Sequence, residues 1–257
     1  MKTILRGLPV LAVSLLAVPT MMAQGFVRPI SIQTVIDTPG SYVLNRDISY
    51  NWDRGAGITI TASGVTLDLN GHEILGPGAL RGVAIRIANA RGVTVKNGAV
   101  ANNAFGVVIE GSANVRLKHL NIRGQGLAVS APPPEVGIMI VQSRNVVVED
   151  NAIYNTGLGV FVRGGQSWGN RIVNNTITAG TNGLLGICYN PAPGDPQGPF
   201  GDLITGNLIT NFGVGLQFFA TSRYNVAREN TVIFTGEAYD IQNPSNIVEA
   251  NTVAQLQ

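Results

Sequence analysis

One cysteine, Cys188, and two histidines, His72 and His119, are the only thiol and imidazole groups in this chain. An intrachain disulfide is excluded, so stability must come from burial and hydrogen bonding. Cys188 reads first as a small buried hydrophobe and only second as a reactive or metal-ligating thiol. With one thiol and two distant histidines, no metal site of the His/Cys type is legible. Charge is scarce too. Charged residues make up 12% of the chain and the formal net charge is +2, with no Lys/Arg cluster of the kind that tracks a nucleic acid backbone. No segment has a convincing amphipathic helical period. Phosphate-cradling glycine loops are missing as well, because the glycines recur as punctuation at a long period.

The one sustained apolar run, Leu8 to Val18, is interrupted by Pro9 and Ser14 and is too short to span a bilayer. Lys2 and Arg6 precede it, and small and polar residues follow as far as Ala23. That order is expected of a secretory signal peptide over residues 1–23, with cleavage after Ala23. Its removal leaves 15 basic and 15 acidic residues, a neutral chain placed in the periplasm or outside the cell.

What the chain has instead is a repeat. Its clearest copy is GITITASGVTLDLNGHEILGPG (57–78), three short alternating strands separated by a small turn and an Asn-Gly corner. The opening Gly followed by an aliphatic residue recurs at Gly57, Gly82, Gly106, Gly137, Gly159, Gly186 and Gly215, with Ala238 in its place in the last copy. Spacings of 22 to 31 residues fall in the solenoid range. Short strands without partners inside one copy must pair with the copies above and below, so the sheets run parallel and the chain winds. A corner asparagine follows in each copy: Asn70, Asn97, Asn151, Asn175, Asn207, Asn230 and Asn251, with His119 or Asn121 in the third. These are expected to form a hydrogen-bonded column, because asparagine tolerates left-handed backbone and carries both a donor and an acceptor.

The segments GVTLDLNGHEILG (64–76), NVVVEDNAI (145–153), NRIVNNTIT (170–178) and NTVIF (230–234) resemble the right-handed parallel β-helix repeat proteins of the pectate-lyase-like superfamily, including the short NosD-like group. The likeness runs over residues 38–257. It implies an all-β solenoid of about eight coils with three short sheets, and it implies little about function, which lies in what the fold displays. Residues 24–56 then serve as a cap and incomplete first coil, and 57–257 as the repeats. In this family the outward face of the first strands is where polysaccharide-active members carry catalytic groups.

Two Pro/Gly-rich insertions, QGLAVSAPPPEV (125–136) and YNPAPGDPQGPFG (189–201), and a shorter one, RGGQSWG (163–169), flank the first strands and are expected to wall a groove. Alternation turns Val83 and Ile85, Val107 and Ile109, Ile138 and Ile140, and Val160 and Val162 inward. One outward column then reads Thr59, Ala84, Val108, Met139, Phe161, Cys188, Gln217, Asp240. The next reads Thr61, Arg86, Glu110, Val141, Arg163, Asn190, Phe219, Gln242. Hydrolysis of a glycosidic bond needs two carboxylates ~5–9.5 Å apart, whereas Glu110 and Asp240 stand five repeats apart. A lyase would need an acidic cluster for calcium and a base; Arg86 and Arg163 are candidate bases without such a cluster. Asp195 and Asp202 are the one weak calcium possibility, and no other cofactor is expected.

Three readings stay open. The first is an exported protein that binds an extended carbohydrate, or acts as a scaffold, through Met139, Phe161, Arg163, Trp168, Tyr189, Asn190 and Phe219. The second is a polysaccharide lyase or hydrolase built on Arg86, Glu110 and Arg163. The third is an assembly protein that self-associates through its last coil. No nucleic acid partner is expected in any of them.

Overall fold

A computed structural model describes residues 26–51, 55–78, 81–126 and 135–256. The signal segment 1–23 and residues 127–134 of the first insertion lie outside it. The described chain is all β and winds as a parallel solenoid of about nine turns, against the eight expected. The extra turn comes from the N-terminal segment. Val27–Ile30 pairs in parallel with Ser41–Leu44, and Thr34–Ile36 with Ile58–Ile60, so the segment expected to lie across the first coil continues the ladders as a winding of its own.

Each winding contributes one strand to each of three sheets. The first sheet runs through Ile58–Ile60, Val83–Ala88, Phe105–Glu110, Val136–Val141 and Leu158–Arg163. It then continues in the second halves of the long strands Thr176–Asn190, Leu208–Phe218 and Thr231–Ile241. β-branched and aliphatic residues dominate these segments, as in VGIMIV and LGVFVR, which suits strands and leaves apolar side chains on the outward face as well as the inward one. Direct pairing stacks Ile85, Val107, Ile138, Val160, Ile187 and Leu216 into one inward column, all buried. Each such side chain contributes about 1.5–3 kcal/mol on burial.

The glycine that opens each winding sits where the third sheet turns into the first. A Cβ on Gly137 would stand 2.7 Å from the Gly159 carbonyl oxygen and 2.5 Å from a methyl of Ile153. The column therefore needs residues without bulk. On the second regular winding that place is held by Ala84, not by Gly82 as expected. Ile85 pairs with both Ile58 and Val107, which puts Ala84 level with Gly57 and Gly106. The segment RGVAI mimics the opening pattern two residues early, and Gly82 instead serves a left-handed turn at φ 82°. The inward residues of this winding are accordingly Ile85 and Ile87, with Val83 half-exposed.

The asparagine column is present at the corner between the second and third sheets. Asn151 Nδ2 donates to Asn175 Oδ1 at 3.0 Å, Asn175 to Asn207 at 3.0 Å, Asn207 to Asn230 at 2.9 Å and Asn230 to Asn251 at 2.9 Å. Each Oδ1 also accepts the backbone N–H of the winding before, as in Asn151 N to Asn175 Oδ1 at 3.0 Å. Asn70 and Asn97 do not belong to it. They occupy the left-handed position one residue earlier, at φ 52° and 59°, together with His119 and Asp150, and their amides point outward. Leu120 holds the inward place in the third repeat, its N–H donating to Asn151 Oδ1 at 2.9 Å. Two adjacent positions of the same turn both favour asparagine, one for its backbone and one for its side chain, and sequence spacing alone conflates them.

Candidate functional site

The first-sheet face is built as an open strip. Strand register gives its outward column as Thr59, Arg86, Val108, Met139, Phe161, Cys188, Gln217 and Asp240. Arg86 takes the place expected for Ala84, as the shifted second winding requires. The neighbouring column runs Ala88, Glu110, Val141, Arg163, Asn190. Arg86 and Glu110 thus lie on adjacent windings and diagonal columns, close enough for Arg86 Nε to donate to Glu110 Oε1 at 2.8 Å. Both are half-exposed, so this pair adds little stability.

An open cavity of about 530 Å³ lies here, lined by Arg81, Arg86, Phe105, Val108, Glu110 and Met139. Val108 and Met139 are half-exposed along its floor, and Phe161, next in the column beyond it, is half-exposed as well. Further on, the Arg163 guanidinium lies over the Phe161 ring, 5.0 Å from its centroid. Its Nε–H is buried and meets no acceptor among the described residues.

Beyond Phe161 the strip closes. Cys188 is buried and its thiol donates to Gln217 Oε1 at 3.3 Å. Gln217 Nε2 donates to Asp240 Oδ2 at 2.7 Å, and Gln242 Nε2 to the same oxygen at 3.1 Å. Burial pushes the Cys188 thiol up to about 12, so it is neither a nucleophile nor a thiolate ligand at physiological pH.

The second insertion walls one flank of the strip. Asp195 accepts from Gln142 Nε2 at 2.8 Å, from Gly165 N at 2.9 Å and from Gln197 N at 2.9 Å, tying the loop back over two earlier windings. Those hydrogen bonds hold its carboxyl below the usual aspartate range. On the opposite flank the base of the first insertion is fixed by buried Glu135, which accepts from Gln125 N at 2.8 Å and Gly126 N at 3.1 Å. Asp195 and Asp202 do not share a site: Asp195 is spent on the loop, and Asp202 is buried in a corner ladder.

Of the expected aromatic platform, only part faces the strip. Tyr189 does not: it alternates with Cys188, points into the core and packs edge-on against Phe218 at 5.0 Å. Phe219, at the turn leaving the first sheet, and Asn190, level with Arg163, are half-exposed. Trp168 sits around the corner toward the second sheet, level with Arg144 and Phe200. Glu110 and Asp240 are five windings apart, about 24 Å at ~4.8 Å per winding, and each is already engaged by neighbours.

That corner carries a second ladder that sequence reading missed. Asn170 accepts from Val146 N at 2.9 Å, and Asn225 Nδ2 donates to Asn246 Oδ1 at 2.9 Å. Asp202 fills the step between Asn170 and Asn225, accepting from Asn170 N at 2.7 Å and donating its own N–H to Asn225 Oδ1 at 3.0 Å. Ser112, Ser143 and Ser167 form a parallel column beside it. The signal was in the four-residue words SRNV (143–146), SWGN (167–170), PFGD (199–202) and SRYN (222–225), each with an inward first and last position.

The winding and its groove define a right-handed parallel β-helix. Residues 43–232 match the family described as "Right handed beta helix region", and the chain belongs to that family. No curated protein sequence matches it significantly. Among solved structures it is similar to an alginate lyase from Paenibacillus sp. str. FPU-7 at 12% identity, over 90% of this chain and 97% of that one, with a TM-score of 0.57. It is similar to the Dettilon tailspike protein at 15% identity, over 89% of this chain and 55% of that one, TM-score 0.59. A hyperthermoactive exopolygalacturonase from Thermotoga maritima aligns at 11% identity, over 83% and 54%, TM-score 0.54. The chain spans about half of the latter two, and at these identities the likeness is one of fold. No helix among the described residues is long and apolar enough to cross a membrane.

Proposed function

We propose that this is an exported protein that binds an extended carbohydrate along its first-sheet face without cleaving it. The observation that carries this reading is the composition of the open strip. Half-exposed Val108, Met139 and Phe161 offer apolar surface for sugar ring faces, Arg86 in that column and Arg163 and Asn190 in the next supply donors, and the carboxylates of the two columns, Glu110 and Asp240, are held by Arg86 and by Gln217 and Gln242. Carbohydrate-acting proteins recur among the structural neighbours, which supports the ligand class. The same strip does not provide two carboxylates at hydrolytic spacing.

The test is binding and turnover measured together. Calorimetric titration with soluble neutral and uronate polysaccharides is expected to give saturable binding, weakened about tenfold by Phe161→Ala. Reducing-end and unsaturated-product assays are expected to stay at background. Product that forms with the parent protein and disappears in Glu110→Gln or Arg163→Ala would replace this reading with a lyase or hydrolase.

A further inference from the structure

Around the corner from the groove, four side chains stack in register on successive windings. Arg144, Trp168, Phe200 and Arg223 are bridged backbone to backbone in that order. The rings of Trp168 and Phe200 lie 6.4 Å apart at 23°. The Arg144 guanidinium covers the outer face of Trp168, 5.9 Å from its centroid, and the Arg223 guanidinium covers Phe200 at 5.1 Å. Both faces of each ring are therefore occupied, and only edges reach solvent; Trp168 is 38% exposed.

The electrostatics of this arrangement have one sign. Aromatic edges carry the positive part of the ring quadrupole, the indole N–H is a donor only, and a guanidinium stacked on a ring keeps its donors in the plane, facing outward. Exposed Arg171 stands three residues beyond Trp168 on the same outer surface. None of Arg144, Arg171 and Arg223 forms an ion pair among the described residues. Three carboxylates on or beside these windings are committed elsewhere: Asp202 is buried on the inner side of the corner, Glu149 pairs with Arg116 at 3.1 Å, and Asp195 accepts hydrogen bonds from Gln142, Gly165 and Gln197. Arg144 and Arg223 are three windings apart, about 14 Å at ~4.8 Å each.

We infer that the Arg144–Trp168–Phe200–Arg223 ladder is a second binding site, separate from the groove, for an extended polyanionic saccharide that lies across the windings with its carboxylate or sulfate groups on the stacked arginines. Stacking holds each guanidinium in one orientation before the ligand arrives, so less freedom is lost on forming a bidentate contact. Single-stranded nucleic acid fits less well, since it is held by bases laid on open ring faces and this ladder has none.

Trp168 is one of two tryptophans in the chain, so with Trp52 replaced by Phe its emission reports on this site alone. Titrating the full chain with polygalacturonate or dextran sulfate at low salt is expected to change tryptophan emission saturably, and Trp168→Phe is expected to abolish the change. The Arg144→Ala/Arg223→Ala double variant should lose about tenfold or more in affinity, as expected when two charge-assisted pairs are removed, with an unchanged circular dichroism spectrum. Arg144→Lys/Arg223→Lys, which keeps charge but not the planar fork, should fall between the two. The double alanine variant should keep the calorimetric binding of neutral polysaccharide attributed to the groove, which separates this site from the groove reading. The inference is overturned by no emission change with either polyanion, by an equal response to neutral dextran, by tighter binding of poly(dT), or by full affinity in the double alanine variant.

Discussion

Asp202 stands next in line to Asn170, accepting its backbone N–H at 2.7 Å and its side-chain amide at 3.0 Å. It is an acid in a column of amides. Burial, opposed only in part by those hydrogen bonds, pushes its carboxyl from 3.8 up to about 7. The folded chain thus holds a proton that the unfolded chain releases. Stability is fully present below about pH 4 and falls as pH rises from there to about 7. Asp202→Asn supplies the amide the ladder otherwise uses. It is expected to raise the melting temperature at pH 8 and to leave it nearly unchanged at pH 3.5; an equal effect at both pH values would contradict the assignment.

The two asparagine positions of the other corner should separate cleanly on mutation. Asn175→Ala strands the Asn151 donors and the acceptors at Val148 and Val173, a loss of about 3 kcal/mol or more from several buried unsatisfied groups. Asn70→Ala removes an exposed left-handed residue with one amide bond to Leu44 O at 3.3 Å and is expected to cost about 1 kcal/mol. Urea denaturation of the two variants checks the ranking.

Gly159→Ala places a methyl against the Gly186 carbonyl and Ile177, and overpacking of this kind costs about 1–3 kcal/mol. The natural Ala84 and Ala238 show that two windings have accommodated the same change. Ala84→Gly is therefore expected to shift stability far less than Gly159→Ala under the same denaturant titration.

Cys188 should be silent toward thiol reagents in the native state at pH 8, because the thiol is buried and its pKa stands at about 12. Labelling with a chromogenic disulfide is expected only after denaturant is added. Fast native labelling would mean that the far end of the strip opens.

The winding, the parallel pairing and most of the inward columns were legible because a two-residue alternation inside a longer period leaves few alternatives. The errors came from local mimicry. RGVAI imitates the opening motif two residues early, so Arg86 stands where Ala84 was expected, Ala84 where the opening glycine was, and Arg86 and Glu110, expected as neighbours in one column, meet diagonally across two. Tyr189 was miscast because a large aromatic beside a proline-rich loop looks like surface, whereas the parity set by Ile187 sends it inward. The ladder of Asn170, Asp202, Asn225 and Asn246 escaped because its members share no common sequence context and meet only by each bonding to the next winding. The Trp168 stack depends on contacts between windings 23 to 32 residues apart, which no short motif encodes.

The loop that begins after Asn190 leaves and rejoins the winding without disturbing it: Tyr189 pairs with Phe218, and Leu203 with Arg171, in uninterrupted register with their neighbours. Its length is thus decoupled from the lattice of the solenoid. Residues can be spliced in ahead of Asp195, whose hydrogen bonds to Gln142 and Gly165 pin the rest of the loop, so that one bank of the first-sheet face rises while the spine stays as it is.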